Sequence, residues 1–213
     1  MPKVVAIIQA RMGSKRLPGK TLIDINGKPC LEWVVNRVKA VNLLGKMFDK
    51  RKLIDNIVVA TTTSTHDDSI VDWCRNQKVE VFRGDPIDVL KRYYLCAKKY
   101  KADKIIRITA DCPLLEPLMV YYLLKKVVNY HALGTNLGKV PLGWDCEIFS
   151  FDELERAHKK LTGKKREHVT LSMRGEFQDH FDCGLEQWMF DTIKLDLDTK
   201  KDLRRIRAYA KLL

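Results

Sequence analysis

The chain has no run approaching the roughly 18 consecutive apolar residues that a membrane-crossing helix needs, although 46% of its 213 residues are apolar. No membrane association through a spanning helix is therefore expected. The first residues, MPKVVAIIQAR, hold an apolar stretch shorter than a secretory h-region, and it runs into Arg11 instead of a small-residue cleavage site. A cytoplasmic protein is the expectation. Six cysteines (Cys30, Cys74, Cys96, Cys112, Cys146, Cys183) lie far apart, with no C-x-x-C pair and no histidine at zinc-ligand spacing. They read as reduced, mostly buried thiols and not as a metal site. Cys112 beside Asp111 is a candidate nucleophile, but a neighbouring carboxylate raises a thiol pKa and works against that role. Aromatics are only 8% of the residues, and no zinc-finger, RNA-recognition or basic-zipper pattern organises the basic ones.

What the chain has in excess is positive charge, +12 at neutral pH. Its sign admits a nucleic acid, an anionic membrane surface or a small anionic substrate as partner. Lysine clusters such as 98–101 and 164–166 flank apolar helical patterns and read as solvated helix faces.

The length suits one globular unit with one core. Short β-branched runs predict strands over 3–9, 56–62, 79–82 and 104–109. Three-and-four spacing predicts helices over 31–41, 66–77, 86–100 and 118–130, with Pro86 suited to a first helical position. The alternation implies an α/β fold in three layers, with helices on both sides of a mainly parallel, Rossmann-like sheet. Beyond about residue 132 the rhythm breaks. A strand over 144–151, a helix over 152–160 and a strand over 188–198 follow, then a closing helix to 210 capped by Asp198 or Thr199. The expected division is a nucleotide-binding half over 1–131, a small substrate-side and dimerisation part over 132–198, and the closing helix over 199–213.

The stretch QARMGSKRLPGKT, residues 9–21, leaves the first strand and so lies at the edge where open α/β sheets bind ligands. It ends like a Walker loop, but five residues separate Gly13 from Gly19, one too many. The following TLIDINGKP carries an Asn-Gly turn and a proline, so no helix opens at Lys20. Two readings remain: a solvated basic loop, or a different phosphate cradle in which Arg11, Arg16 and Lys20 converge on a polyphosphate. Lys15 is expected to point into solvent.

The run VVAIIQARMGSKRLPGKTLIDINGKPCLEWVVNRV resembles the amino-terminal motif of the cytidylyltransferases that make CMP-activated acidic sugars, in particular their spore coat polysaccharide branch. The resemblance continues in family order through IVVATTTSTHDDSIV, VFRGDPIDVLKRYY, IIRITADCPLLEP, DCEIFSFDELERA, KKREHVT and LDLDTKKDLRRIRAY. It implies the nucleotide-diphospho-sugar transferase type of fold, transfer of CMP from CTP to an acidic sugar with release of pyrophosphate, and a homodimer. Two departures are the short 133–143 loop and Lys200-Lys201, where the family has a proline and an acidic residue.

The resemblance also implies roles. Arg11, Lys20 and Asp111 are the expected catalytic residues, with Ala10, Gly13, Ser14 and Arg16 around the phosphates and Thr61, Arg83 and Gly84 near the base. Asp111 and Asp198 are expected to hold Mg²⁺, which prefers carboxylate and phosphate oxygens; turn or helix capping is the other reading of each. Asp145, Glu147, Arg166, Glu167 and His168 are expected on the acceptor side. For His168 a structural role is equally open, and Asp145 and Glu147 suit surface lysines as well as sugar hydroxyls. Transfer to a sugar phosphate or phosphonate, or a basic nucleic-acid-binding module, are the competing functions.

Overall fold

Strand β1 (Val4–Gln9) is apolar on both faces: Ala6 and Ile8 enter one core, Val5 and Ile7 another, as in a strand covered on both sides. It is central to the computed structural model, which describes residues 1–127, 133–170, 173, 178–180 and 193–213. On one side β1 pairs in parallel with β4 (Asn56–Thr62), which pairs with β5 (Glu80–Gly84); on the other it pairs in parallel with β6 (Lys104–Thr109). Strand addition therefore reverses across β1, and the crevice beyond the carboxyl ends of β1 and β6 is the place where such sheets take ligands.

The expected substrate-side part continues the same sheet. β8 (Glu147–Ser150) runs antiparallel to β6, and β7 (Leu133–Thr135) and β9 (Gln178–His180) complete the order β5-β4-β1-β6-β8-β7-β9. Helices α1 (Cys30–Asp49), α2 (Asp68–Asn76) and α4 (Pro117–Val127) cover one face. Helices α3 (Val89–Lys99) and α5 (Phe151–Lys160) cover the other. A third cluster, with Leu17, Leu197, Leu203 and Ile206, joins the loop after β1 to the last helix, α6 (Lys200–Tyr209). No described helix is long and apolar enough to cross a membrane.

Several boundaries differ from expectation for identifiable reasons. α1 runs eight residues past 41, and Asn42 fastens the returning loop by accepting from Leu53 N at 2.9 Å and Ile54 N at 2.7 Å. α3 starts at Val89, so Pro86 is not its first residue. Asp85 Oδ1 holds an extra turn by accepting from Ile87 N and Asp88 N, and Asp88 then caps the helix by accepting from Lys91 N at 2.9 Å. The strand expected over 144–151 is confined to β8, because Ser150 caps α5 by accepting from Glu153 N. In the expected 188–198 strand, 188–192 lie outside the described residues, as do 128–130 of the fourth predicted helix. The remainder, 193–198, makes one parallel bridge, Leu142 to Lys194, and is no sheet strand.

That last segment is seated by close packing. Leu195 N donates to Leu142 O at 2.6 Å. At Gly143, where φ is +100°, an added Cβ would stand 2.6 Å from Leu195 C and 2.7 Å from Asp196 N, so only glycine fits. Thr199 and Asp202 then cap α6 reciprocally: Thr199 Oγ1 accepts from Asp202 N at 3.2 Å, and Asp202 Oδ2 accepts from Thr199 N at 2.8 Å. Because Thr199 is the cap, the Asp198 carboxylate is left for other partners.

Gly143→Ala is expected to lower stability by about 1–3 kcal/mol in denaturant unfolding, through strain and displacement of 195–196. Burial alone would raise the Asp202 carboxyl, but hydrogen bonds from Arg205, Thr199 and Lys194 overcome it and hold the group well below its ordinary value. A depressed carboxylate contributes stability in full above its unfolded-state pKa, and that contribution is lost as pH falls through the folded value. The stability deficit of Asp202→Asn in urea is therefore expected to be largest near neutrality and to shrink between about pH 4 and pH 2.

Candidate active site

The loop after β1 is tied down on every side. Ala10 N donates to Ala60 O at 3.2 Å, Met12 N to Asp67 Oδ1 at 2.7 Å, and Thr21 Oγ1 to Arg11 O at 2.7 Å. Inside it, Met12 O accepts from Ser14 N and Gly19 N, Ser14 Oγ accepts from Leu17 N, and the Leu17 side chain is buried. Lys20–Leu22 is a single 3-10 turn, followed by the hairpin β2 (Asp24–Ile25) and β3 (Lys28–Pro29). Asn26 and Gly27 turn that hairpin with φ of +52° and +86°, as a tight turn demands. No helix opens at Lys20, so this is not a Walker loop. The amides of Gly13, Lys15 and Arg16 and the Arg11 guanidinium have no acceptor among the described residues. Clustered free donors of this kind suit an anion.

Lys20 reaches from the turn to the strand ends. Its Nζ donates to Asp111 Oδ2 at 2.6 Å, Asp198 Oδ1 at 3.0 Å and Leu197 O at 3.0 Å, and Arg16 Nη2 lies 2.7 Å from Asp198 Oδ2. Asp111 leaves β6, and its carbonyl accepts from Leu197 N at 2.7 Å, so the two carboxylates are fixed by adjoining backbones. Burial disfavours both charges, yet the pairing prevails: Lys20 is raised, chiefly by Asp111, and Asp111 is lowered, chiefly by Lys20. Cys112 lies buried behind them, and burial followed by the Asp111 charge pushes its thiol well above its ordinary value. That works against a nucleophilic role.

Two clefts meet here. The first, of about 640 Å³, is walled by the loop cations Arg11, Lys15, Arg16 and Lys20 and by Asp111 and Asp198. The second, of about 520 Å³, lies between residues 86–89 and the 3-10 turn Gly163–Glu167; Arg11 and Glu167 belong to both. Its wall is partly apolar, and Ile87 there is 86% exposed.

The structure thus gathers Arg11, Gly13, Ser14, Arg16, Lys20, Asp111 and Asp198 around one cleft. Lys15 is exposed, as expected, but on the cleft side of the loop. Other expected site residues are occupied elsewhere. Ala10 and Thr61 are buried. Arg83 donates to Thr62 O and Ser64 O and pairs with Asp68, and Gly84 O accepts from Thr63 N, so both brace the sheet edge. Glu147 is buried against Arg107 at 2.7 Å and Thr170 Oγ1 at 2.8 Å. A carboxylate on a strand covered on both faces needs internal partners, and Arg107 and Thr170 supply them. Asp145 is half-buried: its Oδ1 accepts from Gly143 N, and burial raises its carboxyl. The Arg166 guanidinium donates to Asp88 and to the carbonyls of His158 and Leu161. His168 is exposed and lines neither cleft. Sequence reasoning missed Gln9, which ends β1 in the first cleft, and Asp67, whose buried carboxylate joins Met12 N to Thr62 Oγ1. The only signal for Asp67 was an acidic pair at the start of a helical pattern.

A family model described as Cytidylyltransferase matches residues 5–209. The chain is 39% identical over 210 residues to the Uncharacterized protein MJ1063 of Methanocaldococcus jannaschii, covering 95% of this chain and 81% of that one. It is 31% identical over 213 residues to the spore coat polysaccharide biosynthesis protein SpsF of Bacillus subtilis, covering 98% and 86% respectively. A cytidylyltransferase structure from Leptospira borgpetersenii superposes with a TM-score of 0.88 at 27% identity, over 100% of this chain and 88% of that chain. Since the match takes in the loop, the end of β6 and the start of α6, the chain belongs to the cytidylyltransferase family and is a CTP-dependent transferase.

Proposed function

We propose that the protein transfers CMP from CTP to a hydroxyl of an acidic sugar, releasing pyrophosphate, for synthesis of a surface polysaccharide or glycoconjugate. The observation that carries this reading is the junction, at Arg11, of a cationic cleft with a partly apolar one. A nucleoside triphosphate has that division of character. Its phosphates suit the loop cations and free amides, and a pyrimidine ring suits the wall formed by Pro86, Ile87 and Val89. On this reading the base lies beyond Thr61, Arg83 and Gly84, the residues the family resemblance implies for it.

In nucleotidyl transfer charge accumulates on phosphate oxygens, so fixed cations accelerate the reaction by favouring the transition state. Arg11 gives planar, two-pronged contact, and Lys20 a mobile point charge on a flexible stem. Asp111 and Asp198 converge on one point of the cleft wall, a donor set that fits Mg²⁺, which takes one or two carboxylates together with phosphates. Bound there, Mg²⁺ would supply neutralisation of the triphosphate charge. Lys20 is then free to turn its ammonium to a phosphate. The positive surplus around the clefts supports an anionic acceptor, and the name of the relative SpsF supports a polysaccharide setting. A homodimer belongs to the same reading and is checked by light scattering.

Pyrophosphate release is expected with CTP and an eight- or nine-carbon acid sugar; a preference for UTP or GTP would contradict the proposal. Arg11→Ala and Asp111→Asn are each expected to lower kcat by about 100-fold or more, and unchanged turnover in either would remove the role assigned to that residue. Asp198→Asn is expected to lose turnover while keeping its circular-dichroism spectrum, because Thr199 caps α6.

A further inference from the structure

The two walls of the second cleft are joined by one side chain. Arg166, in the turn Gly163–Glu167, donates through Nε to Asp88 Oδ2 at 2.7 Å, and through Nη1 to His158 O and Leu161 O, both at 2.8 Å. Its Nη2 lies 2.8 Å from His158 Nδ1, and since a guanidinium only donates, that nitrogen must accept. The anchor points are themselves rigid. The other Asp88 oxygen caps α3 at Lys91 N, Asp85 holds the 86–88 turn, and the His158 ring stacks on Tyr94 of α3 with centroids 4.2 Å apart.

We infer that Arg166 and Asp88 form a positioning pair that fixes the turn carrying Glu167 over the nucleoside, so that nucleotide affinity depends on them and acceptor affinity does not. This rests on the reading that the nucleoside lies in the second cleft. The geometry requires a fork: four acceptor contacts spread over three nitrogens cannot be reproduced by an ammonium. The residue the sequence suggested as a ligand for the acid sugar instead acts on the other substrate, through the backbone of its own turn.

The test is steady-state pyrophosphate release by Asp88→Asn, Arg166→Lys and the double variant, varying each substrate at saturation of the other. Asparagine keeps the helix cap, so the fold is preserved while the ion pair is lost. Each single variant is expected to raise the KM for CTP about tenfold, with kcat and the acceptor KM within about twofold. The double variant is expected to be no worse than the weaker single, as for residues acting through one contact. A raised acceptor KM with unchanged KM for CTP overturns the inference in favour of direct sugar binding, and additive effects overturn the pairing. If the wild type turns over no CTP with any acceptor, the catalytic proposal fails separately. Calorimetric binding of CTP then reads the pair directly: tenfold weaker binding by Asp88→Asn supports it, and equal binding refutes it.

Discussion

Two carboxylates can both stay ionised in a small, half-buried volume only with a cation close to each, and in this protein Lys20 is close to both. The pairing spans 91 residues to Asp111 and 178 to Asp198. Much of the surrounding architecture serves to bring those three points together. β6 delivers Asp111 beside β1, the glycine at 143 lets 195–196 approach, and the α6 cap is made by Thr199 so that Asp198 keeps its charge free for the lysine. Loss of Lys20 would leave the two carboxylates facing each other, whereas loss of either aspartate leaves the lysine with one partner.

The same pairing decides what the loop can attract. Of its four cations, Lys20 and Arg16 are matched by aspartates, whereas Arg11 and Lys15 have no partner among the described residues. The cleft therefore carries an unmatched positive field with free amides at its base, a combination that favours a polyphosphate over a single carboxylate. The rigid ties of the loop, from Asp67, Thr21 and Leu17, mean that this field is preorganised. Preorganisation is what lets it act on a transition state without further rearrangement.

The central parallel strands β1, β4 and β6 were legible because they are largely buried on both faces and so carry apolar runs, as VVAIIQ and NIVVATT show. The loop and the two aspartates were legible because they combine unusual charge with strand-exit positions. What was not legible depends on tertiary partners. Asp85 and Asp88 postpone α3 by hydrogen bonds that compete with the helical start proline would favour. The 193–198 segment alternates like a strand, yet finds one bridge partner instead of a ladder. Arg166 and Glu147 carry the residue types of a sugar site and also meet internal charged partners, Asp88 and Arg107, which residue type alone does not report.

The placement of Asp198 after every described strand of the sheet also bears on the order in which the protein comes into being. Domains begin to fold as the chain is synthesised, amino end first. A nascent chain that has exposed β1 through β6 already holds the basic loop, Asp111 and Lys20, but Lys20 has half of its acidic partners and the third core cluster has no Leu197, Leu203 or Ile206 to close it. The Lys20–Asp198 closure, over 178 residues, carries the larger loop-closure entropy of the two pairings. Completion of the Lys20 pairings is thereby deferred until residues 197–206 have been synthesised.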